Sequence, residues 1–127
     1  MEGHPWRMVL LVARVNHLSQ RLLAAAHSLC QRMDAGLDIL VPADGIELPV
    51  TMTDFVQALH QSGVNCTLTR IPELRPREIV RYANSHECIT TVVIDSRENW
   101  NVASSGKSAS PWRKLVCPLV MIEPNQD

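Results

Sequence analysis

The sequence is poor in the patterns that most catalytic and metal-binding sites require. Its four cysteines, Cys30, Cys66, Cys88 and Cys117, stand far apart with no CxxC pair, which excludes a zinc knuckle or a thioredoxin-like redox motif. The five histidines, His4, His17, His27, His60 and His86, form no HExxH and no close pair suited to a metal. No GxSxG is present, and no pair of carboxylates suggests glycosidase or metal chemistry. Asp95 and Ser96 are neighbours, so on a strand their side chains point to opposite faces. From the residues alone the chain is not an enzyme. Charge of one sign is not in excess either: 12 basic against 13 acidic residues leave a net charge of −1. That balance excludes a general electrostatic clamp on nucleic acid, although a local basic patch stays open. The longest apolar run near the start, residues 8–13, is halted by Arg14 and is too short to span a bilayer. No small-residue cleavage pattern follows it, so neither membrane insertion nor export is expected, and the expected location is the cytoplasm.

What is there suits one globular core. A chain of 127 residues with 46% hydrophobic content is expected to form a single domain over residues 1–127. Each cysteine sits among apolar neighbours, as reduced thiols used for packing do; the even count leaves disulfides open.

Residues 8–15 (MVLLVARV) read as a strand buried on both faces. Leu18, Leu22, Ala25, Leu29 and Met33 then recur at helical spacing, with Asn16 or Ser19 as N-cap and Gly36 as the stop. Residues 37–41 (LDILV) predict a second buried strand closed by Pro42, and residues 44–50 a loop. Met52, Phe55, Val56 and Leu59 mark a short helix ended by Gly63. Val64, Cys66 and Leu68 alternate with polar partners as a third strand with one wetter face. Pro76 is placed for the first turn of a helix over 76–86 that buries Ile79, Val80 and Ala83. Residues 89–94 (ITTVVI) predict a fourth strand, 95–110 a long irregular loop, 112–116 a residual helical turn and 119–122 a last strand.

Strands alternating with helices imply right-handed crossovers and a parallel sheet. Ligands of such sheets bind beyond the carboxyl ends of the strands, where strand order reverses. Those ends carry residues 14–16, 42–44, 70–72 and 95–97.

The order of elements and several local strings resemble the universal stress protein family. SGVNCTLTRIPELRPREIVRYANSHECITTVVIDSR, residues 62–97, is similar to the family's third strand, third helix and fourth strand, ending in the Ser-Arg that opens its phosphate loop. Cys117-Pro118-Leu119-Val120-Met121-Ile122 resembles the Cys-Pro-hydrophobic final strand, and DAGLDILVP, residues 34–42, the end of the first helix and the second strand. The resemblance covers roughly residues 8–124 and implies an α/β fold: a five-stranded parallel sheet with helices on both faces. It also implies a homodimer formed by pairing of the final strands, with Val120 and Ile122 at the dimer-forming positions. The alternative for these two residues is that they simply face the core.

Many members of the family bind ATP or another adenine nucleotide, through an acidic residue after the first strand and spaced glycines after the fourth. Glycine lets backbone N–H groups approach phosphate oxygens. This sequence departs from that pattern. Arg14 stands where the acidic residue is expected, and Ser96-Arg97 are followed by Glu98-Asn99-Trp100-Asn101 without a glycine. Glu98 adds an anion and Trp100 adds bulk where a phosphate would rest. The expectation is therefore a regulatory or interaction module with no ordinary ATP cofactor. The alternative is an adenine-nucleotide sensor, for ATP or AMP, using the altered set Arg14, Val41, Ser96, Arg97, Gly106, Lys107 and Ser108. Ser105-Gly106-Lys107-Ser108 is similar to the end of a P-loop, but Pro111 follows too soon for the long helix that a P-loop opens; Lys107 and Arg113 are the cations that could meet an anion there. An exposed Trp100 would be an anchor for a protein partner, because tryptophan is favoured at binding hot spots.

Overall fold

The computed structural model describes residues 7–13, 18–43, 47–95 and 111–122. Five strands, β1 (Met8–Val12), β2 (Gly36–Pro42), β3 (Cys66–Ile71), β4 (Ile89–Asp95) and β5 (Leu119–Ile122), form one all-parallel sheet in the order β3-β2-β1-β4-β5. Helices α1 (Gln20–Met33) and α2 (Val50–Gln61) connect strands that step outward from β1 to β3. The chain then passes back over β2 and β1 through α3 (Pro76–Ser85) to reach β4. Right-handed crossovers place α1 and α2 on one face of the sheet and, after the reversal, α3 on the other. A single 3-10 turn, η1 (Pro111–Lys114), lies between β4 and β5.

Strand alternation sorts the core into two layers. Val9, Leu11, Leu37, Ile39, Val41 and Val93 pack against α1 and α2. Leu10, Val12, Leu40, Val92 and Ile94 pack against Ile79, Val80 and Ala83 of α3 and Trp112 of η1. Each such aliphatic side chain contributes about 1.5–3 kcal/mol through burial.

Helix ends differ from expectation in instructive ways. Ser19, one of the two expected N-caps of α1, accepts a 3.0 Å hydrogen bond from the Leu22 amide. Gly36 does not stop that helix. Asp34 takes the left-handed conformation at φ 55°, and the Ala35 amide donates to the Cys30 carbonyl at 2.9 Å, closing a Schellman motif. Gly36 instead starts β2, where a Cβ would stand 2.8 Å from the Met8 sulfur and 3.1 Å from the Asn65 carbonyl oxygen. Gly63 ends α2 as expected, at φ 82°, with Val64 donating to the Leu59 carbonyl at 2.9 Å. This bond holds Val64 in the cap, so β3 begins at Cys66 rather than Val64, and it ends at Ile71, within the expected 70–72. Likewise β4 continues through Asp95, which was expected in the loop, because Asp95 pairs with Ile122 of β5.

Candidate functional site

Strand order reverses between β1 and β4, so the crevice expected to take ligands lies beyond Val12 and Asp95. The described residues at this mouth are Ala13, at 1% exposure, and Asp95, at 2%. The end of β4 thus delivers a buried carboxylate to the point where the chain turns into the segment resembling a phosphate loop. Of the candidate nucleotide set only Val41 is described. Its side chain is fully buried in the layer under α1 and α2, and it sits where β2 pairs with β3. Arg14, Ser96, Arg97, Gly106, Lys107 and Ser108 lie outside the described residues, as do Trp6, Trp100 and His17.

Val120 and Ile122 are half-buried and pack against the α1 layer, the core-facing alternative on that side of β5. The strand is also the sheet's outer edge, with Met121 on its opposite face 42% exposed. Trp112 plugs the α3 layer. His27 meets Phe55 edge-on, with its Nε2 buried and without a hydrogen-bond partner among the described residues, while His60 and His86 are exposed. All four cysteines are free thiols. Burial, with Cys66 nearby, pushes the Cys30 thiol up to about 11; burial and the Asp38 charge do the same for Cys66. These are packing thiols, not activated nucleophiles. Among the described residues no group of three metal-ligating side chains converges, and no helix is long and apolar enough to cross a membrane.

A polar cluster that sequence reasoning passed over lies inside the α3 layer. Asp38, in the middle of β2, is 6% exposed. Its Oδ1 accepts from the Thr67 hydroxyl at 3.1 Å and the Thr69 hydroxyl at 2.9 Å, both on β3. Its Oδ2 accepts a 2.5 Å hydrogen bond from the Tyr82 hydroxyl of α3. A buried carboxylate is tolerated when hydrogen bonds replace its water, and these three tie an edge strand, an inner strand and a helix together. Burial first, and then the bond to Asp38, push the Tyr82 phenol up to about 12. The signal was legible: period two puts Asp38 and Leu40 of LDILV on one face, so the run carries a carboxylate at a core position.

With the geometry in hand, comparison with known proteins is informative at the level of structure. Neither a family model nor a curated protein matches the sequence. Among solved structures, the universal stress protein from Archaeoglobus fulgidus matches with a TM-score of 0.60 at 16% identity, over 91% of this chain and 93% of that one. The universal stress protein from the same organism in complex with dAMP matches with a TM-score of 0.53 at 17% identity, over 91% of this chain and 97% of that one. The chain has the universal stress protein fold. A protein of the universal stress protein family from Burkholderia pseudomallei agrees, with a TM-score of 0.51 at 17% identity over 95% of this chain and 98% of that one. The fold expected from the resemblance is the fold found. At these identities the likeness carries the scaffold, whereas ligand and assembly must be argued from this chain's own residues.

Proposed function

We propose that this chain is a divergent universal-stress-protein-like regulatory or interaction module of the cytoplasm, dimeric through β5, that does not use ATP in the family's usual pose and is not an enzyme. One observation supports the reading most strongly. The strand that should open onto a phosphate loop ends in buried Asp95 and continues Ser96-Arg97-Glu98-Asn99-Trp100-Asn101 with no glycine. Phosphate oxygens need bare backbone amides, and carboxylates and an indole are poor substitutes. The dimer proposal draws on the edge position of β5 and on exposed Met121, since an apolar edge needs covering and self-pairing is one way to do it. Trp100 is the proposed anchor for a protein partner.

A nucleotide-sensing reading is favoured by a different observation: one structural neighbour is a dAMP complex. In that reading Arg14, Arg97 and Lys107 supply the positive charge. Calorimetry with ATP, AMP and cyclic nucleotides separates the two. The first reading expects no saturable heat; saturable binding that is lost in Arg97→Ala or Lys107→Ala establishes the second. For assembly, sedimentation of Val120→Lys and of Met121→Lys is expected to show monomers, and dimers that survive both substitutions refute pairing through β5.

A further inference from the structure

The outer flank of α3 faces the end of β3 across a cavity of about 460 Å³, within the size range of small-molecule sites. Its walls include Ile71 and Glu73 at the end of β3 and Glu78, Arg81, Tyr82 and His86 along α3. This groove lies on the β3 flank of the sheet, apart from the β1–β4 switch point.

Two stacked rings contribute to its wall. Tyr82 and His86 stack with centroids 4.2 Å apart and planes 28° from parallel. Both are fixed from behind. The Tyr82 hydroxyl is held by Asp38, and His86 Nδ1 lies 2.7 Å from the Tyr82 carbonyl oxygen. A carbonyl can only accept, so Nδ1 carries the proton, and in the neutral ring Nε2 is left as an acceptor. The Tyr82–Asp38 bond also has an electronic consequence. A phenol donating to a carboxylate gains electron density in its ring, which makes the ring face a better partner for a cation.

The charges are arranged to the same end. The Glu78 side chain is 38% exposed, whereas Arg81 is 70% exposed and approaches Glu78 only to 3.8 Å. Glu73 pairs with Arg75 at 3.0 Å, with both side chains more than half exposed, so that pair is weak and readily exchanged with solvent. The more sheltered charge is therefore a carboxylate, one helical turn from Tyr82 in the same groove, and Arg81 is the more exposed partner. We infer that the groove between β3 and α3 binds a small planar organic cation, with its ring or guanidinium-like plane on the outer face of the Tyr82–His86 stack and its positive charge on Glu78. The bound cation displaces Arg81 from Glu78. This assignment is independent of whether a nucleotide binds at the switch point, and it gives a regulatory module a place to receive a chemical signal.

Benzamidinium and benzamide test it, having nearly the same shape but a charge of +1 and 0. Amide chemical-shift titration of the full chain is expected to show saturable benzamidinium binding centred on Ile71, Tyr82, Ser85 and His86. A charge on an aromatic face and a carboxylate predicts at least about fivefold weaker binding of benzamide, and a similar loss for benzamidinium on Glu78→Gln. Arg81→Ala, which frees the carboxylate, is expected to tighten it. Equal binding of the two probes, stronger binding of benzoate, shifts centred elsewhere, or no saturation would each overturn the assignment. Glu78→Gln and Arg81→Ala are exposed or half-exposed changes, and unchanged amide dispersion confirms that the fold survives.

Discussion

The two faces of the sheet solve the burial problem differently. Under α1 and α2 the layer is mainly apolar, from Cys66 of β3 through Val93 of β4, with Val120 and Ile122 of β5 packed against it and the buried polar residues Thr91 and Asp95 on the same face of β4. Under α3 the apolar layer runs from β2 to β4 with Ile71 of β3 and Leu119 of β5 at its margins; toward β3 it also holds Asp38 with its three hydroxyl partners, and toward β5 it is roofed by one 3-10 turn. The first face is held by area, which is non-directional and tolerant. The second is held by geometry, which positions Tyr82 and with it one wall of a groove. The difference teaches that on the α3 face a directional polar cluster, and not area alone, fixes the side next to β3.

The contrast can be broken by substitution. Ile39→Ala in the apolar layer is expected to cost about 2–5 kcal/mol in denaturant unfolding, because the cavity it leaves cannot collapse fully. Tyr82→Phe on the other face removes a hydrogen bond to a charged group and is expected to cost about 1.5–3 kcal/mol. A value near zero would show that the Asp38 cluster does not hold α3. Thr67→Val, at an exposed strand position, is expected to cost about 0.5–1.5 kcal/mol, since the Thr69 hydroxyl still donates to the same oxygen.

Alkali sharpens the comparison further. The folded Tyr82 pKa lies above its ordinary value of 10, at about 12. A raised folded pKa means that the stabilising contribution is complete below pH 10 and is lost as pH climbs toward 12. Tyr82 is the only tyrosine, so tyrosinate absorbance reports it directly. It should titrate late in the folded chain, and the alkaline loss of stability assigned to it should be missing from Tyr82→Phe.

The five strands, their parallel pairing and the helices on both faces follow from patterns visible in the chain. Residues 8–12 and 89–94 are apolar enough to be inner strands, and Pro76 marks the start of α3. What escaped the sequence is tertiary in origin. Gly36 looks like a helix stop, and only the approach of Met8 and Asn65 shows that it is needed in a strand. Asp38 is the case where the pattern was present but its meaning was not, because Thr67, Thr69 and Tyr82 are 29 to 44 residues away in the chain. The sheet's order does reverse, between β1 and β4, but of the residues proposed for a nucleotide only Val41 falls among those described.

The central claim is that the carboxyl-terminal mouth of the β1–β4 pair no longer accepts a triphosphate in the family's manner. An amide chemical-shift titration with magnesium ATP at cellular concentration addresses it directly. The account predicts that Val12, Ala13 and Asp95 stay unmoved. Saturable shifts concentrated on those three residues would contradict it.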